Sequence, residues 1–240
     1  MKKILLLAFA MMIVATGAYA QKKTTKNNNR VPSNLSTKDD GTRMNSTVEV
    51  LATIELPPAE MGFEMPLVEV LKNRRTQREI LPEELPMEMI SALLWSAYGI
   101  NRPEEGKRVV PSATNAQEFD IYLFTREGIF LYNAEKNALE MVVKGDHIRE
   151  ISKQKHFVDA PIAIVLVANY DRMERFKETD VRDFYAAVDC GYISQNIYLY
   201  CASAKLATVA CGAIEREEIG NILGLKNGRA LLAHAVGFSK

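Results

Sequence analysis

Pro111-Ser112-Ala113-Thr114-Asn115-Ala116-Gln117 is the stretch on which the interpretation of this chain depends. Proline, serine and asparagine favour turns, and small side chains allow a flat ring to approach the backbone closely. About 35 residues upstream lies a second unusual stretch, Arg74-Arg75-Thr76-Gln77-Arg78. Together the two stretches indicate a site for a flat ligand that carries negative charge.

The arginine-rich stretch has three interpretations on its own. Guanidinium groups match phosphate oxygens bidentately, and the Thr76 hydroxyl can add a short hydrogen bond. The alternatives are a solvated run of surface charges and an ion-pair network with the acidic residues that follow, Glu79, Glu83 and Glu84. The residues alone leave these alternatives open.

Hydrophobic periodicity predicts regular elements on both sides of the two stretches. The predicted helices cover Leu67–Leu71, Met87–Tyr98, Ile148–His156, Asp183–Leu206 and Glu215–Leu223. The predicted strands cover Phe119–Thr125, Ile129–Asn133, Leu139–Val143, Pro161–Ala168 and Leu231–Phe238. This arrangement predicts an α+β fold, with an antiparallel sheet sandwiched by helices.

The two stretches resemble the flavin-binding signature of the nitroreductase family. Pro-Ser-x-x-Asn-x-Gln is similar to that family's Pro-Ser-(small)-x-Asn-x-Gln-Pro, and Arg-Arg-Thr-x-Arg to its Arg-(Arg/His)-Ser-x-(Lys/Arg). The resemblance extends from Leu67 to the C-terminus through the segments Ala187–Asn196, Leu206–Ala213 and Ala235–Phe238. Leu93–Ile100 and Gly128–Asn133 further resemble the azoline-dehydrogenase branch, from which we infer no azoline substrate.

The resemblance implies a central antiparallel sheet flanked by helices in an intertwined homodimer with FMN at the interface. Arg74, Arg75 and Thr76 would hold the phosphate and ribityl chain, and Arg78 would lie near the N1/O2 edge of the ring. The ring would be contacted from the other subunit by Pro111, Ser112, Ala113 and Asn115. The backbone amides around Cys211 and Gly212 would face the N5 atom.

Two features depart from the family pattern. The family's glutamine is usually followed by Pro-Trp or a similar apolar pair, whereas Glu118-Phe119 follows here. Many members also hold the phosphate with a basic residue after the last strand, a position that only Lys240 could fill. No catalytic side chain is predicted, because the cofactor carries the chemistry and the protein positions and tunes it.

The N-terminal residues predict export. Lys2 and Lys3 precede an apolar stretch, Ile4–Val14, and Gly17-Ala18-Tyr19-Ala20 supplies a small-residue cleavage pattern before Gln21. Residues 1–20 are therefore predicted to be a signal peptide, which places the mature chain in the periplasm or outside the cell without a stable membrane span. Residues 21–64 are predicted to be a flexible tether, in which Val48–Leu56 could form a strand or lie along the domain, and residues 65–240 the FMN-binding domain.

Composition limits the partners and the inorganic sites. The formal net charge of 0 becomes −2 when Lys2 and Lys3 are removed, so nothing indicates nucleic-acid binding. Cys190 and Cys201 would lie about 16 Å apart on one helix, beyond disulfide reach. With Cys211 they are interpreted as buried thiols, and no metal site is predicted.

The leading hypothesis is an FMN-dependent oxidoreductase that transfers hydride to or from a small planar substrate. One alternative is a dimer that binds flavin or another ligand without turnover. A second is an azoline-type peptide dehydrogenase. His234 is isolated in the sequence and is interpreted as a hydrogen-bonded core or interface residue.

Overall fold

The computed structural model describes residues 49–59 and 65–240, which contain nine strands. They are β1 (Ala52–Glu55), β2 (Ile100–Arg102), β3 (Lys107–Arg108), β4 (Phe119–Phe124), β5 (Gly128–Asn133), β6 (Ala138–Lys144), β7 (Ile162–Asn169), β8 (Leu206–Cys211) and β9 (Gly228–Phe238). Seven of them form one antiparallel sheet in the order β1-β6-β5-β4-β7-β9-β8. The strands β2 and β3 form a separate antiparallel pair.

Six α-helices accompany the sheet in the described part of the chain. They are α1 (Leu67–Asn73), α2 (Met87–Tyr98), α3 (Ile148–Ile151), α4 (Lys155–Asp159), α5 (Thr179–Ser203) and α6 (Arg216–Leu223). Short 3-10 helices span Pro103–Glu105, Ala113–Asn115 and Tyr170–Met173. None of the described helices is long and apolar enough to cross a membrane.

The central strand β7 is buried on both faces, as predicted. Successive side chains of a strand point to opposite faces. Ile164 and Leu166 therefore join the core beneath α2 and α5. Val165 and Val167 join a second core beneath α3, α4 and α6. The antiparallel sheet between two helical layers confirms the predicted α+β class.

Several predicted elements are confirmed closely. The helix α2 has the predicted bounds and ends at Gly99, whose added Cβ would lie 2.6 Å from the Trp95 carbonyl oxygen. The predicted hairpin is β4–β5, closed at Thr125, and the strand predicted after it is β6. The prediction that α1 ends at the arginine-rich stretch is also confirmed.

The helix predicted over Ile148–His156 is wrong, because the chain breaks into α3 and α4. Ser152 has extended backbone angles, and its hydroxyl donates to the Ala213 carbonyl oxygen at 3.3 Å. The Ile151 carbonyl oxygen accepts from the Glu215 backbone N–H instead of continuing the helix. The contact with the β8–α6 connection thus ends α3.

The C-terminal end of the long helix is also corrected. The predicted helix ran to Leu206, whereas α5 ends at Ser203 and Leu206 begins β8, a strand that the periodicity did not predict. Lys205 has a left-handed φ of 58°, which no α-helix contains. This reversal directs the chain into the edge strand of the sheet.

The strand alternative for Val48–Leu56 is the one that the structure shows. Ala52–Glu55 form β1 and pair with β6, although this segment falls within the predicted tether. The predicted signal peptide, residues 1–20, and residues 21–48 and 60–64 of the predicted tether lie outside the described residues. The division of the chain into those segments stays a prediction.

Candidate functional site

The arginine-rich stretch leaves α1 and runs along the end of the sheet at β8. The Gln77 backbone N–H donates to the Thr208 carbonyl oxygen at 2.9 Å. Ile80 then forms an antiparallel bridge with Ser239, just beyond β9. The stretch is therefore hydrogen-bonded to the middle of β8, and the chain that follows it pairs just beyond β9.

Tyr198 on α5 links this stretch to β8. Its hydroxyl accepts from the Ala210 backbone N–H at 2.9 Å and lies 3.0 Å from the Thr76 hydroxyl oxygen. The Arg74 guanidinium lies over the Tyr198 ring, 5.2 Å from its centroid, where a cation–π contact is favourable. The sequence analysis missed Tyr198, since a tyrosine on a mostly apolar helix gives no signal of its partners.

The predicted ion-pair alternative does not form among the described residues. None of the Arg74, Arg75 and Arg78 guanidinium groups lies within 4.0 Å of a carboxylate in that part of the chain. Glu79 instead lies 3.7 Å from the Lys240 ammonium group, in an exposed pair. The three arginines of this stretch thus have no carboxylate partner in the described part of the chain.

Cys211 and Gly212 lie at the end of β8, beside this stretch. The Cys211 thiol is buried and accepts a hydrogen bond from the Gln154 amide at 3.1 Å. Gly212 is exposed, and a Cβ added there would meet only the Leu232 side chain, at 3.6 Å. The backbone at Gly212 is therefore open to a ligand, and the fold itself does not require glycine at this position.

The Pro111 segment forms a tight loop with an unusual backbone. Thr114, Asn115 and Gln117 have left-handed φ angles of 55°, 57° and 48°. Such angles are uncommon outside glycine and cost free energy, most of all for a β-branched threonine. The Gln117 backbone N–H donates to the Ser112 hydroxyl oxygen at 3.0 Å, and the Arg108 guanidinium donates to the Gln117 side-chain oxygen at 3.0 Å. The loop conformation is thus maintained by its neighbours.

The two segments are not brought together within one chain. The loop is attached to α5 at Asp189, whose carboxylate accepts from the Ala113 backbone N–H at 2.7 Å. The arginine-rich stretch contacts α5 at Tyr198, nine residues further on and about 13 Å along the helix axis. Within one chain the loop and the arginine-rich stretch thus contact α5 at separate places.

A buried pair of carboxyl groups lies behind the loop, and the sequence analysis did not find it. Glu118 has no solvent exposure, and Asp189 across from it is also buried. Burial, followed by the neighbouring Asp189, raises the pKa of Glu118 to about 7. Glu118 drew notice only as a departure from the family pattern, because its partner lies 71 positions away in the sequence.

Comparisons with solved structures place the fold in a known class. A crystal structure of a nitroreductase-like protein from Ralstonia eutropha JMP134 matches with a TM-score of 0.73 and 30% identity, covering 82% of this chain and 92% of that one. The structure of the Escherichia coli microcin synthetase complex contains a chain that matches with a TM-score of 0.61. At 14% identity, with 89% of this chain and 85% of that chain covered, this match shows the fold alone. The fold is therefore the nitroreductase-like α+β fold.

Sequence comparisons identify the family. The profile of the nitroreductase family matches residues 71–238. A nitroreductase-like protein of Methanocaldococcus jannaschii is 33% identical over 190 residues, which are 75% of this chain and 93% of that protein. The chain belongs to the nitroreductase family, whose members are oxidoreductases.

Proposed function

We propose that the chain is an exported, FMN-dependent oxidoreductase that acts as a homodimer on a small planar substrate. The observation that supports it most is that the stretch holding Arg74, Arg75 and Arg78 is hydrogen-bonded to β8, whose end carries the open backbone at Gly212, while these arginines have no carboxylate partners among the described residues. The signal-peptide pattern of residues 1–20 supports export.

The residues present fit the cofactor. Guanidinium forks suit the oxygens of a phosphate, and Thr76, fixed by Tyr198, would add a hydroxyl beside them. Arg78 would place positive charge near the N1/O2 edge of the ring and stabilise negative charge there. Lys240 would contribute less, because its ammonium group is exposed and already lies beside Glu79.

When bound, FMN would supply the redox chemistry, since its N5 atom accepts and returns hydride. The backbone around Cys211 and Gly212 would lie against that side of the ring and orient it. The residues assigned to the site bind and position the ring and exclude water. No side chain is required to act as an acid or base.

Two observations support a homodimer. The Pro111 loop and the arginine-rich stretch of one chain contact α5 about 13 Å apart, and in a homodimer the loop of the second copy would contact the ring. The helices α1 and α5 also leave large apolar side chains in solvent: Leu67 is 66% exposed and Phe184 62%. Isolated apolar side chains are common on surfaces, whereas contiguous apolar surface marks an interface.

An absorbance spectrum of the purified protein tests the proposal directly. We expect a yellow protein, recovered from the exported fraction with Gln21 at its N-terminus, that contains one FMN per chain and elutes as a dimer. Dithionite should bleach the flavin absorbance, and a nitroaromatic or quinone should restore it. A colourless protein that binds no added FMN would refute the proposal, and a flavin that acceptors never re-oxidise would favour ligand binding without turnover.

Replacing Gly212 by alanine separates binding from folding. The new methyl group would make an ordinary contact of 3.6 Å with Leu232, so we expect the midpoint of thermal unfolding to stay within a few degrees of the original. The same methyl group would project into the space assigned to the ring, and FMN affinity should fall by at least about tenfold. Fluorescence titration with FMN measures the effect, and unchanged affinity would contradict the position assigned to Gly212.

A further inference from the structure

The strongest unexplained feature is the environment of Glu118, the residue directly before β4. Its side chain is fully buried, and neither carboxylate oxygen has a hydrogen-bond donor among the described residues. A carboxylate left in this state carries a large desolvation penalty. The carboxyl of Asp189, also buried, is close enough to help raise the pKa of Glu118.

Asp189 connects this pair to the Pro111 loop. Its Oδ2 atom accepts from the Ala113 backbone N–H at 2.7 Å, a distance typical of a charge-assisted bond. Asp189 therefore suits the ionised role in the pair. Two facing carboxyl groups hydrogen-bond only when one of them carries a proton, and Glu118, with no donor of its own, suits that role.

The charged and titratable groups around Glu118 do not replace the missing donor. The Arg172 guanidinium forms an ion pair with Asp120 and also donates to the carbonyl oxygens of Gln117 and Phe119, at 3.0 and 3.3 Å. The Tyr98 hydroxyl accepts from the Phe119 backbone N–H at 3.2 Å and forms no hydrogen bond with either Glu118 oxygen. The Cys190 thiol is also close; it is buried, burial raises its pKa, and it forms no hydrogen bond with either Glu118 oxygen.

We propose that Glu118 and Asp189 share a single proton and act as positioning residues, which hold the loop around Ala113 in the shape that contacts the flavin ring. The part that concerns the ring depends on the proposed function, whereas the shared proton does not. Loss of the proton would leave two buried carboxylates facing each other behind a loop that already contains three left-handed residues. The loop would then release the Ala113 N–H or move away from α5.

The direction of the pH effect follows from the raised pKa of Glu118. Its ordinary value is 4.5, and in the folded chain the value is about 7. The folded state therefore holds the proton more tightly, so the stabilisation is complete below pH 4.5 and is lost as the pH rises through 7. If only the protonated pair supports binding, the apparent dissociation constant for FMN rises by up to about tenfold for each pH unit above about 7.

Glu118→Gln is the decisive variant, because its amide copies the protonated carboxyl and can donate to Asp189 at every pH. FMN titrations of both proteins from pH 6 to 9 should show affinity that falls with pH in the original protein and changes less in Glu118→Gln. The phosphate of FMN titrates in the same way in both experiments, so the difference between them isolates the pair. Glu127→Gln, which makes the same change at an exposed carboxyl in the β4–β5 turn, should behave like the original protein.

A second measurement does not require flavin. The midpoint of thermal unfolding of the protein without FMN should fall, relative to Glu118→Gln, as the pH rises from 4.5 to 8. An infrared band of a protonated carboxyl should be present at pH 6 and missing in the variant. Identical stability profiles together with no such band would overturn the inference.

The outcomes separate the inference from the proposed function. If the original protein binds no FMN at any pH, the proposed function fails, and the stability profile and infrared band still decide whether the proton is shared. If FMN binds and its pH dependence is the same in the original protein and in Glu118→Gln, the positioning role is refuted while the flavin site stands.

Discussion

Replacing Arg74 and Arg75 together by alanine is expected to lower FMN affinity by about 100-fold or more, so that the purified protein is colourless. A hydrogen bond to a charged group contributes about 1.5–3 kcal/mol, and each guanidinium would lose at least one such bond to the phosphate. The loss of two positive charges beside a dianion adds to this effect. Equilibrium titration with FMN and the flavin content after gel filtration measure it.

The same change should leave the fold intact. Arg75 is exposed, and its guanidinium donates to the nearby Asn73 carbonyl oxygen at 3.1 Å. Arg74 is half-buried against Tyr198, and a contact of this kind contributes about 0.5–1 kcal/mol. We therefore expect only a small fall in the free energy of unfolding.

Lys144→Ala combined with Arg149→Ala is the matched control. It removes two positive charges from exposed side chains at β6 and α3, and β6 lies five strands away from β8 in the sheet. This variant should retain FMN as the original protein does. Full FMN content in the Arg74/Arg75 variant would contradict the phosphate assignment, whatever the behaviour of the control.

Elements with local causes were predictable from the sequence. The bounds of α2 follow from its apolar stripe and from Gly99, since both signals lie inside or beside the helix itself. The β4–β5 hairpin was predictable in the same way, from alternating apolar residues around Arg126-Glu127-Gly128. Neither element depends on a distant partner for its position.

Elements whose bounds depend on distant residues or on an unexpected backbone conformation were not predictable from the sequence. The break between α3 and α4 depends on the hydrogen bond from Ser152 to Ala213, 61 positions along the chain. The end of α5 depends on a left-handed Lys205, a conformation that favours glycine or asparagine and that no propensity scale assigns to lysine. The edge strand β8 is defined by its pairing with β9, which is invisible to the periodicity of a single segment.

The residues of the candidate site also fall into those that the sequence predicted and those that only the structure shows. Its arginines and its Pro111 loop were recognisable because each occupies a few consecutive residues that resemble a family signature. Tyr198 and the Glu118–Asp189 pair were not recognisable, because their partners are distant in the sequence. Tyr198 and Thr76 are 122 positions apart, and Glu118 and Asp189 are 71 positions apart. The loop was also predicted to act in the other subunit, which stays a prediction.

We expect the free energy of unfolding to fall steeply in acid because of the buried His234 side chain. It is fully buried on β9, with its two ring nitrogens 2.8 Å from the Ser194 hydroxyl oxygen and 3.1 Å from the Thr208 hydroxyl oxygen. This confirms its interpretation as a hydrogen-bonded core residue. Burial lowers the pKa of His234 to about 3, because a charged imidazole would be desolvated there.

The sign of the effect follows from that lowered pKa. The unfolded chain protonates the imidazole near pH 6.5, while the folded chain keeps it neutral. The stability that His234 contributes is complete above pH 6.5 and falls by about 1.4 kcal/mol per pH unit below it, reaching about 4–5 kcal/mol near pH 3. Glu118 acts in the opposite direction, since its shared proton stabilises the fold by about 3 kcal/mol as the pH falls from 7 to 4.5.

The two effects should nearly cancel in the original protein between pH 4.5 and 6.5, so the experiment requires the Glu118→Gln background. In that background the free energy of unfolding, measured with urea, should fall by about 1.4 kcal/mol for each pH unit below 6.5. Adding His234→Gln should lower the stability at pH 7 through imperfect packing but remove the slope, because glutamine does not titrate. Adding His147→Gln instead, which removes a partly exposed imidazole, should leave the slope in place. A slope that survives His234→Gln would show that another group is responsible for the acid lability, and that the buried imidazole is not held neutral by the core.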